Sequence, residues 1–345
     1  MMNYCRISLN PLESEHEISM GYSIKALKKL SLGKKVEFQL PFTRDEFIHD
    51  LPVKQKGMSI SGFQPKLQLV LRDEIFQVID SQGDYILKPS PNEFPKLAEN
   101  EHATMCVMQR LGFDVPPCGL IPFKSSSAED KLEYAFMIKR YDRTEKGTAI
   151  HQEQLDAAMG INEKYGKIKS DDEGYVSYEQ LTDFIAKHVS NDIKFRMDLF
   201  RRIIYAYLLG NNDMHLRNFS LIHPKVGSPF LAPVYDFVSV APYKEYFSSS
   251  YLALPLLRLE EGGQELAPDF DSQYGEYTGT DFKQLGVSMG LSEKLIDSIL
   301  HSELNKEKEI VEKTYSISFM QKKDIEKVLD CYHSRLIRLQ YEIPN

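Results

Sequence analysis

The chain has 345 residues, of which 42% are hydrophobic and 27% are charged, and its formal net charge is −8 at pH 7. This length favours two domains or lobes, and the acidic balance argues against a protein that binds nucleic acid directly through backbone phosphates. Four scattered cysteines without a C-x-x-C pair argue against a disulfide framework or a zinc site, and the lack of a signal-peptide pattern or a long apolar run predicts a cytoplasmic protein without a membrane span.

The first part of the chain predicts strands and one prominent helix. Leu67, Leu69 and Leu71 alternate with other residues, and a turn pattern follows at 81–84, so strands are expected over about 66–88. A helix is expected from Asn100 to a stop at Gly112. Two short strands are expected at 119–123 and 134–138. We therefore expect a β-rich N-lobe over residues 1–138.

The second part of the chain predicts mainly helices. Residues 142–192 are polar and favour loops and short helices, whereas apolar residues between Leu199 and Leu208 recur at helical spacing up to Gly210. Short strands are expected near Leu221 and Val234, and helices at 281–300 and 320–340. Together with the first part, this pattern predicts an α+β fold with a larger, mainly helical C-lobe over residues 139–345.

One loop suggests a specific chemistry. Asp213 stands five residues before Asn218, and Asp236 follows downstream. In kinases this order supplies a carboxylate that accepts the hydroxyl proton, and an asparagine and an aspartate that hold Mg²⁺ between phosphates. The alternative is structural, with Asp213 capping a helix and Asp236 ending a strand. His215 could contact phosphate, orient the loop, or be a structural histidine.

Two further elements could bind the phosphates of ATP. Gly62 lies in the sequence S-I-S-G-F-Q-P-K at 59–66, where a glycine lets backbone N–H groups approach phosphate oxygens. Lys88 ends a short apolar strand, and Glu101 or Glu99 on the next helix could position its amine. The alternatives are a plain turn between strands and a solvated lysine at a sheet edge.

These motifs together resemble the HipA-like serine/threonine kinase toxins of bacterial toxin–antitoxin systems. The resemblance runs from about residue 57 to residue 240, with every motif in the order of that family. The matching segments are S-I-S-G-F-Q-P-K at 59–66, Y-I-L-K-P at 85–89, N-E-H at 100–102, F-M-I-K-R-Y-D-R at 136–143, H-Q-E-Q-L at 151–155, K-Y at 164–165, N-D-M-H-L-R-N-F-S at 212–220 and V-Y-D at 234–236.

The resemblance implies a kinase-like fold, ATP and Mg²⁺ as cofactors, and a role for each matching residue. Asp213 would be the catalytic base, Asn218 and Asp236 would hold Mg²⁺, and Lys88 would contact the phosphates with support from Glu101. Phosphorylation of the protein itself would fall on Ser59 and Ser61. The other expected contacts to the nucleotide are Ser61, Gly62, Phe63, Gln64, Lys66, Lys139, Tyr141, His215 and Tyr235.

The resemblance also implies a substrate and partners. The family phosphorylates aminoacyl-tRNA synthetases, which stops translation and growth. Only 58 residues precede Ser59, so the chain is similar to the short form, HipT, for which tryptophanyl-tRNA synthetase is the expected target. In that form a separate small protein supplies the missing N-terminal portion, and a DNA-binding HipB-like antitoxin is the other expected partner.

Two other functions remain open at this point. The sequence D-M-H-x-x-N at 213–218 is also similar to the catalytic loop of phosphatidylinositol kinases, which act on lipids, although the chain lacks basic clusters near an apolar surface. The second alternative is a kinase fold that serves only as a binding subunit. Its signature would be a lost catalytic residue, whereas Lys88, Asp213, Asn218 and Asp236 are all present.

Overall fold

The chain divides into two compact units. The computed structural model describes residues 3–50, 59–61, 64–125, 127, 132–144, 146–161, 163–167, 175–243, 251–263, 265–270 and 274–341. The first unit contains Met1–Ala149 and Thr314–Gln321, and the second contains Ile150–Lys313 and Lys322–Asn345. The segment 139–149, expected in the C-lobe, thus lies in the first unit.

An antiparallel sheet forms the centre of the first unit. Its strand order is β1-β2-β4-β6-β5, and β3 pairs with β2. The strands expected between 66 and 138 are confirmed, with bounds shifted by one or two residues. These confirmed strands are β2 Gln64–Arg72, β3 Ile75–Ile79, β4 Tyr85–Pro89, β5 Cys118–Pro122 and β6 Tyr134–Lys139, and β1 Ser59–Ser61 is an additional strand that was not predicted.

The register of β4 against β6 decides which side chains share a face of this sheet. Lys88 pairs with Phe136, whereas Leu87 pairs with Met137 and Tyr85 with Lys139. Since successive side chains of a strand point to opposite faces, Lys88 projects from one face, and Tyr85 and Lys139 project from the other.

The face that carries Tyr85 and Leu87 covers the hydrophobic core of the first unit. Two short helices before the sheet, α1 Glu15–Met20 and α2 Ile24–Leu30, are capped by Ser14 and Ser23 and supply part of this core. No sequence pattern predicted them, because six or seven residues are too few to show a helical period. The core includes Cys5, Ile7, Leu12, Tyr22, Ala26, Leu30, Leu40, Phe42, Phe47, Leu67, Leu69, Tyr85, Leu87 and Met137.

The predicted helix of the first unit is α3, Leu97–Arg110. It begins three residues earlier than the sequence indicated and is followed by Gly112, whose φ of +89° is the left-handed conformation that glycine adopts readily. Thr104 and Arg110 of α3 contact Tyr315 and Thr314, which explains why residues 314–321 belong to this unit.

The second unit is mainly helical and contains a small sheet in which β8 pairs with both β7 and β9. The strand expected near Val234 ends earlier, because Pro233 has no N–H to continue a ladder. A helix at 304–316 was not predicted. The elements are β7 His151–Gln154, α4 Leu155–Ala158, α5 Tyr178–His188, α6 Ile193–Leu208, β8 Ser220–His223, β9 Phe230–Leu231, α7 Gly279–Ser288, α8 Glu293–Asp297, α9 Leu304–Ser316 and α10 Lys322–Leu339.

Helix α6 carries the loop that contains Asp213. Asp192 caps its first turn by accepting from the N–H of Phe195, and its last turns are buried. Gly210 follows with φ of +68°, which lets the chain turn away from the helix axis. Arg335 of α10 donates to the carbonyl of Tyr207 at this end of α6. The loop thus starts from a fixed point.

Among the described residues, no helix combines the length and the apolarity needed to cross a bilayer.

Candidate active site

A buried ion pair lies on one face of the sheet in the first unit. Lys88 Nζ lies 2.6 Å from Glu101 Oε1, and their side chains are only 5% and 3% exposed. Burial lowers the pKa of Lys88 to about 8, while the charge of Glu101 acts in the opposite direction. Glu99, the other sequence candidate, is bound to Lys96 at 2.6 Å. The structure therefore pairs Lys88 with Glu101.

Two residues from β2 lie near this ion pair. The positive charge of Lys66 contributes to the lowered pKa of Lys88, so the two amines are close enough to repel each other. Gln64 Nε2 donates to the carbonyl of Pro89 at 3.0 Å. Repulsion between two lysines is relieved when an anion binds beside them, so this corner of the unit suits phosphate groups.

The glycine-containing segment is described only in part. Ser59 and Ser61 form the ends of β1, which pairs with β2 through Ser59–Lys66 and Ser61–Gln64. Gly62 and Phe63 lie outside the described residues. The backbone of β1 thus places both serines opposite the β2 residues that precede Leu67.

In the second unit, several hydrogen bonds fix the backbone of the loop 211–218. Tyr178 of α5, which is fully buried, donates to the carbonyl of Met214 at 2.7 Å. Leu216 N–H donates to the carbonyl of Lys164. The side chain of Asn218 donates back to the carbonyl of Asp213 at 2.7 Å and closes the loop on itself.

The carboxylate of Asp213 is accessible on this fixed backbone. Its side chain is 42% exposed, and His215 Nε2 lies 3.8 Å from its Oδ1, which is too long for a hydrogen bond. His215 itself is 8% exposed, and its ring meets that of Tyr165 edge to face at 5.6 Å. Burial and the charges of Lys164 and Arg217 lower the pKa of His215, so its imidazole is neutral at pH 7.

Asn218 and Asp236 are the two residues that the sequence predicts to hold Mg²⁺. Because the amide nitrogen of Asn218 is used by the carbonyl of Asp213, its Oδ1 is turned away and accepts no hydrogen bond from another described residue. Asp236 adopts a left-handed backbone with φ of +52°. Non-glycine residues in this conformation are uncommon and concentrate at functional sites.

Tyr235 connects the segment before Asp236 to the loop 211–218. Its hydroxyl donates to the carbonyl of Arg217 at 2.8 Å and lies 2.6 Å from Ser220 Oγ. The Arg217 guanidinium in turn binds the buried Asp156 of α4 at 2.7 Å. Asp156 and Tyr178 were missed by the sequence analysis, because each lies more than 30 residues from its partner and carries no local motif.

The segment after β6 holds the remaining predicted contacts. Tyr141 stands between Arg140 and Asp142, and the buried Asp142 accepts hydrogen bonds from both Arg140 and Arg143. Although burial opposes it, these two arginines hold the pKa of Asp142 below its ordinary value. The side chain of Lys139 projects from the face of the sheet opposite Lys88. The predicted contact of Lys139 with a nucleotide bound near Lys88 would therefore have to come from its backbone.

No group of three or more His, Cys, Asp or Glu side chains is arranged for a metal ion within the described residues. Mg²⁺ in kinases is held by one or two carboxylates with phosphate oxygens and water rather than by a full protein cage. The pair Asn218 and Asp236 is compatible with that mode.

Comparisons with known proteins fit this geometry. A model of the HipA-like C-terminal domain matches residues 58–311. The chain belongs to the HipA-like family. It is 55% identical over 338 residues to a Haemophilus influenzae protein named "Putative kinase", and the match covers 98% of each chain. It is 25% identical over 213 residues to the serine/threonine-protein kinase toxin HipA of Shewanella oneidensis, covering 57% of this chain and 46% of HipA.

The fold of this HipA-like protein is also that of a solved relative. The structure of the Shewanella oneidensis toxin–antitoxin system HipA, HipB and its operator DNA matches with a TM-score of 0.60 at 20% identity. The match covers 82% of this chain and 64% of that chain, so the chain spans about two thirds of the solved toxin. The α+β, kinase-like fold expected from the sequence is confirmed.

Proposed function

We propose that this HipA-like protein is an ATP- and Mg²⁺-dependent kinase that phosphorylates a serine or threonine hydroxyl of another protein. The observation that carries the proposal is the accessible carboxylate of Asp213, on a loop that the side chain of Asn218 closes by donating to the carbonyl of Asp213. A purely structural aspartate at this position would accept hydrogen bonds as a helix cap. The carboxylate of Asp213 accepts none from the described residues.

In the proposed reaction Asp213 accepts the proton of the acceptor hydroxyl as the oxygen attacks the γ-phosphorus. Asn218 and Asp236 hold Mg²⁺, which when bound neutralises charge on the β- and γ-phosphates. His215 lies beside Asp213, and its neutral imidazole can donate one hydrogen bond to a phosphoryl oxygen. The clamped backbone keeps these groups in place and thus lowers the entropic cost of reaching the transition state.

In this proposal most of the groups that bind the nucleotide come from the first unit. Lys88, oriented by Glu101, contacts the α- and β-phosphates, and Lys66 and Gln64 lie beside it. Ser61, Gly62 and Phe63 cover the phosphates, while Tyr235 and the backbone from Lys139 to Tyr141 complete the set of nucleotide contacts. This assigns nucleotide binding to an N-lobe and the catalytic base to a C-lobe, as the sequence predicts.

The test is the intact mass of the purified protein after incubation with ATP and Mg²⁺, beside Asp213→Asn. A gain of one or two phosphates that is absent from the variant supports a kinase. The variant must still bind ATP and Mg²⁺, which separates a missing base from a misfolded protein. If neither self-phosphorylation nor phosphorylation of any synthetase is found on protein shown to start unphosphorylated, the proposal is wrong.

Self-phosphorylation would also act as a switch. A phosphate on Ser59 or Ser61 adds about −1.5 to −2 charge, close to the place where the phosphates of ATP bind. Repulsion would then weaken ATP binding. Doubly phosphorylated protein should bind ATP more weakly than Ser59→Ala/Ser61→Ala, and equal affinities would rule the switch out.

The proposed substrate is an aminoacyl-tRNA synthetase, with tryptophanyl-tRNA synthetase first, because of the resemblance to HipT. The proposed partners are a HipB-like DNA-binding antitoxin and a second, small protein. Expression of the chain alone should arrest growth, and expression of Asp213→Asn should not. Incubating purified synthetases with the kinase and ATP identifies the target by its mass shift.

A further inference from the structure

A small cavity of about 140 Å³ opens in the first unit. It is lined by Lys139 and Tyr85, from the paired ends of β6 and β4, and both side chains project from the face of the sheet opposite Lys88. Lys34, from the segment after α2, and Lys146, from the turn after β6, also line it. Lys139 is shared with the predicted nucleotide contacts, but its side chain lies on the other face of the sheet from the Lys88–Glu101 ion pair.

The charge of the lining is positive. Lys34, Lys139 and Lys146 form no ion pair with any described residue, whereas the neighbouring Lys35 is paired with Glu74 at 2.9 Å. Among the described residues that line the cavity, Asp84 is the acidic one. The three lysines and this aspartate give the described lining a net charge of +2, which favours an anion with two negative charges.

The walls of the cavity are ordered before any ligand binds. Thr144 N–H donates to the carbonyl of Thr148 at 2.9 Å, and Thr148 N–H donates to the hydroxyl of Thr144 at 3.1 Å. Gly147 in this turn has φ of +79° and passes so close to Asp84 that an added Cβ would lie 3.3 Å from its carboxylate oxygen. Tyr85 is held by a bond from its hydroxyl to the carbonyl of Leu30 at 2.9 Å.

We propose that this cavity binds a small phosphate-type dianion, such as inorganic phosphate. Pockets for drug-sized molecules are roughly 300–1,000 Å³, so the volume of this cavity is small for a nucleotide and suits a single tetrahedral anion. Lysine ammonium groups bind such anions as point charges with three donors each. The proposal does not depend on the kinase activity, because Lys139 is the lining residue shared with the proposed nucleotide contacts, and only its backbone is assigned to the nucleotide.

The test is an isothermal calorimetric titration, in which inorganic phosphate is added to the full chain and the heat of binding is measured. Lys34→Met/Lys146→Met should weaken binding by about tenfold or more, because each lysine contributes a charge-assisted contact. Lys35→Met is the matched control, because it removes a neighbouring lysine that is already paired with Glu74. The affinity of this variant for phosphate should equal that of the native protein. Thermal unfolding of each variant without phosphate shows whether the fold is retained.

A second measurement separates this cavity from the nucleotide site. Phosphate binding is repeated in the presence of saturating ADP and Mg²⁺, and with the conservative variant Lys34→Arg/Lys146→Arg. Binding that persists with ADP and in the arginine variant, but weakens in the methionine variant, supports the cavity. Phosphate binding that ADP abolishes, that the methionine variant leaves unchanged, or that is undetectable overturns the proposal.

Discussion

The charged candidate residues of the two units differ in their exposure to solvent and in how their charges are paired. In the first unit, Lys88 and Glu101 are almost completely buried and are held by each other at 2.6 Å. In the second unit, the side chain of Asp213 is 42% exposed. Hydrogen bonds to the backbone carbonyls of Met214 and Asp213 hold the loop in place, and none of them involves the carboxylate of Asp213. One group is a buried ion pair with a fixed partner, and the other is an accessible carboxylate on a rigid loop.

This difference follows from what each group is proposed to do. A buried amine needs a carboxylate partner because an unpaired buried charge is strongly unfavourable. A catalytic base must instead leave its oxygens available to a hydroxyl that arrives with the substrate, so solvent rather than a side chain covers it in the free protein. Substitutions should therefore change activity in the second unit, and both activity and stability in the first.

The largest effect is expected for Asp213→Asn. Loss of a general base lowers kcat by roughly 10²–10⁴-fold, while the thermal midpoint should stay close to that of the native protein, because the carboxylate accepts no hydrogen bond from a described residue. Asp330→Asn, the same exchange at an exposed position of α10, is the control. A large loss of stability in Asp213→Asn would show that the carboxylate is structural.

The next effect is expected for Lys88→Met, which leaves Glu101 buried without its partner. Breaking a buried ion pair by removing one side costs about 3–5 kcal/mol, so the free energy of unfolding should fall by this order. Lys88→Met/Glu101→Leu should recover most of the stability, because no charge is then left buried, but it should not recover ATP binding. Recovery of both properties would show that the ion pair is structural only.

Some features of these two groups could be predicted from the sequence, and others could not. Local spacing in the sequence singled out Lys88, Asp213, Asn218 and Asp236 as candidate site residues, and the alternation of apolar residues predicted the strands of the first unit. The choice of Glu101 over Glu99 and the direction of the Lys139 side chain needed the strand register. Tyr178 could not be found, because its contact to Met214 spans 36 residues and depends on how α5 packs.

A smaller effect is expected for Tyr178→Phe, which tests the rigidity of the loop rather than its chemistry. The change removes one buried hydrogen bond to the carbonyl of Met214, and leaving such a group unsatisfied costs about 1–3 kcal/mol. We expect kcat to fall several-fold with KM for ATP unchanged, because the residues assigned to the nucleotide are not touched. Tyr175→Phe, a partly exposed tyrosine at the start of the same region, is the control.

A KM for ATP that rises in Tyr178→Phe while kcat stays constant would contradict a positioning role. Such a result would mean that the phenol acts on nucleotide binding, and the contrast between a rigid catalytic loop and a buried nucleotide-binding pair would then not hold.

The smallest effect is a pH dependence that belongs to the first unit alone. Burial lowers the pKa of Lys88 to about 8, so the ammonium that binds phosphate is lost as the pH rises through that value. From about pH 7 to about pH 9, kcat/KM for ATP should fall by about tenfold, because this ratio reports groups of the free enzyme. A profile that stays flat to about pH 9.5 would contradict a phosphate-binding role for Lys88.

Stability should change with pH in the opposite sense. The unfolded chain keeps the proton of Lys88 up to about pH 10.4, whereas the folded protein loses it near pH 8. Because the unfolded state then binds more protons, the contribution of Lys88 to the free energy of unfolding rises between these two values. Comparing the unfolding of the native protein with that of Lys88→Met/Glu101→Leu isolates this contribution. Activity that declines with pH while the contribution of Lys88 to stability rises would indicate a buried amine whose role is to bind phosphate rather than to stabilise the fold.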